Sequence, residues 1–531
     1  MLQSAAMRIA GRTNLLALLL LILGPFSALA ADKRDVKDVS KQIQDRIQKI
    51  INSDPASSRA FWGIEIEDAG SGKVLYNQNP DKLFTPASNT KLFTTAATFA
   101  LIGPDYRFHT TVETTTPPDT NGRVAGDLVL VGRGDPNLSG RVLPYHLKTE
   151  RVPPAAKALE ELADQIVKAG VHSVDGDIVG DDSYFIYERY GEGWSQDDLM
   201  WDYGAPSSAL TVNDNIVFAE IKPAEHVGDK AFISVDPYTE YFEIQNMVTT
   251  AAAGTKRNVG IDREPGSSHV TFWGTIPLDD KGDGEALAID DPALANAQLL
   301  RRMLEKRGVV VLGKTRAAHK EIWKFPPLQG EDAYSTDVPT VTNTPTPAPV
   351  VLAHHDSLPI GEDLRVINKV SQNLHVELML RLLGKLKGPS GSISGGAQVV
   401  KSFLLQAGLT PDEFGFQDGS GMSRENLVTP QAIVKLLRYA STQPWGTAFR
   451  DTLPLAAVDG SLSTRFLGVQ AQGHVSAKTG FLAGVHALSG YAQTRHGNNV
   501  VFSVMLNHVQ LRSIKARELI DQVVEAIVEE D

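Results

Sequence analysis

The chain has 531 residues, 42% hydrophobic and 21% charged, with a formal charge of −12. That length exceeds one ordinary domain and that composition supplies enough apolar side chains for real cores, so two or three folded units are expected. The acidic balance repels polyanions and argues against nucleic acid as a partner; the absence of cysteine excludes a disulfide framework and thiol catalysis.

Arg8 and Arg12 precede an apolar run over 15–23, and Ala28-Leu29-Ala30 offers small residues at the spacing a signal peptidase needs. Residues 1–30 therefore read as a secretory signal cleaved after about Ala30. The run is shorter than the ~20 residues that span a bilayer, and no later segment is long and apolar enough to do so. The mature chain is thus expected to carry no transmembrane segment, and without the two signal arginines its charge is −14. Secretion without cysteine suits a bacterial periplasm or cell wall.

Residues 36–52 read as an amphipathic helix, with Val39, Ile43, Ile47 and Ile50 or Ile51 at helical spacing. Residues 61–66 alternate like a half-buried strand, and Gly70-Ser71-Gly72 turns the chain into a second strand over 73–77. Pro86 suits the first turn of a helix whose buried face holds Leu92, Phe93, Ala96, Ala97 and Ala100, ending near Gly103-Pro104.

From about 109 to 340 the pattern changes to short strands and turns. Strands are expected at 127–131 and 176–179, with a helix at 155–168 between them. Residues 216–221, 231–235, 242–249 and 269–273 are β-rich, consistent with an all-β module nested near 216–285. A helix, Gly170-Val171, a strand and Gly176 are echoed by a helix at 293–306, Gly308-Val309, a strand and Gly313. This reads as repeated supersecondary usage rather than duplication.

The Pro/Thr-rich stretch 342–349 is the clearest linker. Helices follow at 363–384, 395–407 and 429–440, then a strand or strand pair over 478–494, a strand over 500–506 and a closing helix over 514–529. Both ends of the chain thus supply strand plus helix, as in one α/β domain interrupted by an insertion. The parts are a catalytic domain first half at 31–108, an insert at 109–340, and a second half at 341–531.

Three polar motifs stand in order: Ser88-Asn89-Thr90-Lys91, Ser371-Gln372-Asn373 and Lys478-Thr479-Gly480. Together they provide a nucleophile, a base, a proton relay and a carboxylate binder. Each alone has an ordinary explanation: a helix cap, polar surface, a turn. Roughly one or two chance S-x-x-K matches are expected in a chain this long, so the ordered triple carries the reading. Ser88 and Lys91 share one helix face. The lysine can take the serine proton only if neutral, which burial or a nearby cation such as Lys478 would bring about. Backbone N–H groups at Ser88 and after Gly480, where a side chain would obstruct the substrate, are candidates for an oxyanion hole. Ser371 and Asn373, at the start of a helix or in a short loop, are placed to pass a proton and hold an amide.

At these residues the chain resembles the D-alanyl-D-alanine carboxypeptidase/endopeptidase family, the class C low-molecular-mass penicillin-binding proteins. Asn368-Lys369-Val370, Asp418-Gly419-Ser420-Gly421-Met422-Ser423-Arg424, Gly134-Asp135-Pro136 and the segment from Val485 to Tyr491 extend the likeness over most of the mature chain. The 280 positions from Lys91 to Ser371 fit the large insertion that this family carries there. The resemblance implies an α/β (α+β) penicillin-binding, serine β-lactamase-like domain interrupted by a large, mostly β insertion. It implies a serine peptidase acting through an acyl-enzyme on the D-Ala-D-Ala ends or D-amino-acid cross-links of peptidoglycan stem peptides, with β-lactams as covalent inhibitors and no cofactor. Ser88 would be the nucleophile and Lys91 the acylation base, with Ser371, Asn373 and Lys478 as their partners. Thr479, with Gly480 and Phe481 beside it, would bind the terminal carboxylate, and Asp198 and Arg424 match positions contacting the stem's charged side chain. Phe481 departs from the family's usual Ser or Thr, which removes one hydroxyl; Ala483 stands where a polar residue can occur. Two other readings remain at this point: a β-lactamase, for which no deacylating glutamate is identifiable, and a non-catalytic wall-binding or penicillin-sensing protein.

Residues 308–315 match the Walker A pattern letter for letter. Three consecutive valines prefer extended backbone to a phosphate cradle, and a helix precedes where a strand is needed, so this motif is rejected. His354-His355 lacks a third ligand at metal-like spacing, so no metal site is expected.

Overall fold

A computed structural model describes residues 36–147, 151–321 and 348–530. The signal at 1–30 and all but the last two residues of the linker at 342–349 lie outside them.

The two chain ends build a single antiparallel sheet. Its strands are β1 (Phe61–Asp68), β2 (Val74–Gln78), β3 (Val475–Leu482), β4 (Val485–Gln493) and β5 (Asn499–Asn507), in the order β2-β1-β5-β4-β3. Helix α1 (Val36–Ile51) and the closing helix, α7 (Ser513–Glu530), cover one face. Ile43 and Ile47 of α1 and Ile520 and Val524 of α7 meet Trp62, Ile64, Ile66, Phe502 and Val504 in one apolar cluster. Each such fully buried side chain contributes about 1.5–3 kcal/mol.

Helices α2 (Thr90–Leu101), α3 (Ile360–Lys369), α4 (Asn373–Lys387), α5 (Ile393–Gln406) and α6 (Pro430–Ser441) pack on the other side, where Phe93, Leu378, Leu437, Tyr491 and Met505 share a second cluster. The half-buried strand expected at 61–66 is therefore buried on both faces. Its outward glutamates lie under α6, where Arg438 donates to Glu67 (3.0 Å).

One expectation fails at an informative place. The helix read over 363–384 is broken into α3 and α4 at Val370-Ser371-Gln372. Ser371 has φ +64°, a left-handed conformation that a serine holds only when surrounding contacts over-determine it. Apolar periodicity runs through the break because both helices bury toward the same core.

Strands Thr315–Lys320, Ile178–Ile186, Leu128–Val131 and His109–Thr114 of the insert form a second five-stranded sheet with Val350–Asp356, which comes from the part read as the second half and pairs antiparallel with His109–Thr114. Helices Lys157–Lys168 and Pro292–Lys306 lie in its core cluster. Two three-stranded sheets share a further core around Val217, Val248 and Phe272. They include Asn258–Asp262 and Asp283–Ala288, strands not anticipated from the sequence, where turn-forming and acidic residues mask the alternation. The echoed segments lie side by side: Val310–Val311 pairs in parallel with Ser173–Val174, and Thr315 with Ile178. The Walker-like run 308–315 is thus strand, turn and strand, with no helix after it.

Candidate active site

The turn that presents Ser88 is pinned from the opposite end of the chain. Asn507, the last residue of β5, accepts from the Thr85 amide (2.9 Å) and donates back to the Thr85 carbonyl (3.2 Å). Pro86 then leads into Ala87, which is fully buried at φ +48°. A short 3-10 turn, Ala87–Asn89, delivers Ser88 directly before α2. Gly421 closes over this turn at φ +85°, and a Cβ there would lie 1.9 Å from the Ala87 carbonyl oxygen. On the other side, a Cβ on Gly480 would lie 2.7 Å from the Pro86 oxygen. Both glycines allow backbone to approach the turn that carries Ser88.

Lys91 is wholly buried one helical turn beyond Ser88. Its Nζ donates to Asn373 Oδ1 (2.6 Å) and to the Ser420 carbonyl (2.6 Å), and lies 2.9 Å from Ser88 Oγ. Burial pushes its pKa down to about 7, against the pull of Asp418 and Glu377. Of the two causes the sequence left open, burial or a nearby cation such as Lys478, desolvation is the one that lowers it. A neutral amine has two N–H bonds and one lone pair. With both N–H groups donated to carbonyl oxygens, the lone pair faces the Ser88 hydroxyl, the orientation a base requires.

The broken helix explains the second motif. Ser371 Oγ, in the left-handed break, accepts from Lys478 Nζ (2.8 Å). Asn373 opens α4 and turns its other amide end to the Tyr203 carbonyl (2.8 Å). Lys478, on β3, is fully buried and also donates to the Thr479 carbonyl (2.9 Å). Burial and the neighbouring Lys91 both lower its pKa strongly. Strand β3 is the sheet's edge. The Ala477 amide points off that edge to the Pro454 carbonyl (3.0 Å). By the two-residue alternation of a strand, the amides of Thr479 and Phe481 point the same way.

Ser88, Lys91, Ser371, Asn373 and Lys478 thus converge. Thr479 flanks them, its hydroxyl 2.8 Å from Ser461 Oγ. Phe481 is 57% exposed, with its ring 5.1 Å from that of His486, so it offers the cleft no donor beyond its amide. Arg424 donates to the Ala483 carbonyl beyond the end of β3 (3.2 Å). Asp198 closes the short turn Gln196–Asp198 and accepts from the Tyr203 hydroxyl (3.1 Å), so Tyr203 joins Asp198 to Asn373.

Sequence reasoning missed the groups that hold this arrangement. Glu377, one turn after Asn373, accepts from the amides of Gly419 and Ser420 (2.9 and 2.8 Å) while Arg381 donates to its other oxygen (3.0 Å). Asp418 accepts from Gly421 and Ser423 (2.8 and 2.7 Å). The loop so fixed aims the Ser420 carbonyl at Lys91. The Asp-Gly-Ser-Gly run marked the loop in the sequence, but a backbone acceptor leaves no residue signature.

A second support comes from the insert. Asp214, buried and at φ +56°, receives Arg141 and Arg151, His375 Nε2 (3.1 Å) and Gln372 Nε2 (3.1 Å). Burial alone would raise its pKa, yet Arg141, His375 and Arg151 hold it well below the usual carboxylate range. Gln372 also caps α4 through the His375 amide (3.3 Å). Replacing Gln372 by alanine should therefore slow penicillin acylation about tenfold, the cost of roughly one hydrogen bond felt at the flanking Ser371 and Asn373. Asp214 keeps its cationic partners, so circular dichroism should be unchanged; an unaltered acylation rate would remove Gln372 from this role.

A central sheet with these three motifs at its edge defines a penicillin-binding fold, and solved structures agree. Penicillin binding protein 4 (dacB) from Haemophilus influenzae superposes with a TM-score of 0.72 at 23% identity, covering 93% of this chain and 98% of that one. The same protein complexed with a novel β-lactam gives a TM-score of 0.66. In sequence, the D-alanyl-D-alanine carboxypeptidase of Actinomadura sp. (strain R39) is 32% identical over 477 residues, 88% of this chain and 81% of the relative. D-alanyl-D-alanine carboxypeptidase DacB of Haemophilus influenzae is 25% identical over 452 residues, 84% and 85% of the two chains.

The D-Ala-D-Ala carboxypeptidase 3 (S13) family matches residues 43–324 and 329–528, and the chain belongs to it. Among the described residues no helix is long and apolar enough to cross a membrane.

Proposed function

We propose that this carboxypeptidase is a secreted, periplasmic serine DD-peptidase that works through a Ser88 acyl-enzyme, cleaves both D-Ala-D-Ala ends and D-amino-acid cross-links of peptidoglycan stems, and is acylated by β-lactams. The observation that carries the reading is the 2.9 Å approach of Ser88 Oγ to the Nζ of a buried lysine whose two other polar contacts are carbonyl oxygens.

Ser88 Oγ attacks the carbonyl carbon of the penultimate D-alanine as Lys91 takes its proton. The oxyanion lies against the amides of Ser88 and Phe481. Lys91 hands this proton on through Ser371, which is bridged to Lys478, to the nitrogen of the leaving residue, and the C–N bond breaks. Water then attacks the ester carbon, Lys91 takes one of its protons and returns it to Ser88 Oγ, and the C–O bond of the ester breaks. Lys478 and Thr479 hold the substrate's terminal carboxylate, Asn373 its amide, and Asp198 and Arg424 the charged stem side chain. The insert at 109–340, contributing Asp198, Tyr203 and Asp214, forms one wall of the cleft. Cleavage of a cross-link needs only that this cleft admit a longer leaving group.

Purified muropeptides, resolved by mass spectrometry before and after incubation, test this. Pentapeptides should lose one D-alanine and cross-linked dimers should fall to monomers. Loss of D-alanine alone would remove the endopeptidase part. A penicillin adduct without peptide turnover would favour a penicillin-binding protein without peptidase activity, and rapid release of hydrolysed penicillin would favour a β-lactamase.

A further inference from the structure

The geometry points to Ser461 as a second carboxylate-binding hydroxyl, one that makes the site select substrates ending in a free carboxylate; this rests on the DD-peptidase reading and deepens it. A carboxylate presents two oxygens with about four acceptor positions. On β3, Thr479 offers one hydroxyl, and two residues along the same face Phe481 offers a phenyl ring. Ser461 comes from a different part of the chain, yet its Oγ lies 2.8 Å from Thr479 Oγ1. One of the two hydroxyls donates to the other. Hydroxyl protons rotate freely, so both can turn outward to an anion, and donation to a charged acceptor is the stronger bond.

The turn carrying Ser461 is built to hold that position. It is a short 3-10 turn, Gly460–Leu462, preceded by Asp459. Asp459 accepts from Lys369 Nζ (2.5 Å) and from the Leu455 amide (2.8 Å). The Gly460 amide donates to Tyr145 Oη (3.1 Å). Gly460 itself sits at φ +55° against Lys369, where a Cβ would lie 2.3 Å from the carbonyl oxygen. Lys369 is two residues before Ser371, so the turn is tied to the segment bearing the proton relay. Ser461 is half-buried, with its hydroxyl turned to the strand that borders the nucleophile.

The test compares a peptide ending in D-Ala-D-Ala carboxylate with its C-terminal amide. Ser461→Ala should raise KM for the carboxylate peptide about tenfold, carrying most of the loss in kcat/KM, and leave the already poor amide peptide unmoved. Ser461→Thr should keep the parent KM. Phe481→Thr should raise carboxypeptidase turnover by itself, and in the Ser461→Ala background it should restore most of the lost affinity by returning a hydroxyl to the same face of β3. Equal losses on both peptides, or a fall in kcat at constant KM, would overturn the assignment. Failure of the underlying reading is separate: the parent protein would then neither take a penicillin label nor cleave either peptide.

Discussion

Ser88→Ala is expected to abolish covalent labelling by a fluorescent penicillin, with acylation falling on the order of 10⁴-fold or more, while the protein stays folded. Both halves of the result follow from the contacts. The hydroxyl is half-exposed, and its neighbour Lys91 retains Asn373 Oδ1 and the Ser420 carbonyl when it is removed. Its loss costs about 1 kcal/mol of stability, that of one hydrogen bond. The strained Ala87 turn is held by Asn507, Gly421 and Gly480, none of which touches the hydroxyl through its side chain. Gel fluorescence together with a thermal melt checks the prediction. Persistent labelling of a folded variant would refute Ser88 as the nucleophile.

The parts of the fold that were legible in the sequence are those whose signal is local. Ile43, Ile47 and Ile51 announce α1 by spacing alone, and the glycines at 70 and 72 announce the turn between β1 and β2. The motif residues were legible because the proposed acyl transfer needs particular side chains, and their types stand at fixed short spacings in the sequence. What stayed hidden depends on partners far along the chain. Glu65 and Glu67 alternate as if facing water, because α6, which covers them, is made more than 350 residues later. The sequence offered two readings at Ser371, a continuous helix by periodicity and a helix start or short loop by motif. It could not reveal the left-handed backbone, because serine is no marker of it, and the hydrogen bond from Lys478 and the Asp214–Gln372 link accompany that conformation. Ser461 and Glu377 carried no motif, only proximity that folding creates. Thus the candidate residues were visible before their scaffold, and the local departures from helical rules at Ala87 and Ser371 fall where those residues converge.

Lys91→Met should be as damaging to acylation as loss of the nucleophile's hydroxyl, by at least three orders of magnitude, and it separates catalysis from stability through pH. Methionine matches the lysine stem in length but provides no base. In the parent, the acylation rate should rise with pH, be half-maximal near 7 and fall about tenfold per unit below that, because only neutral Lys91 can accept the Ser88 proton. The same pKa acts on folding in a definite direction. An unfolded lysine stays protonated to about 10.4, whereas the buried one loses its proton near 7. Between those values the unfolded state binds more protons, so the parent's stability falls as pH drops from about 10 to 7 and levels off below. Methionine has no such dependence. The stability of the variant relative to the parent should therefore improve steadily over that window, whatever its offset from leaving Asn373 Oδ1 and the Ser420 carbonyl without their donor. Denaturant unfolding of both proteins at pH 6, 7, 8.5 and 10 measures the difference. A gap that stays constant across the window would mean that Lys91 is charged at neutral pH in the folded protein, and the proton would then need another acceptor than the amine beside Ser88.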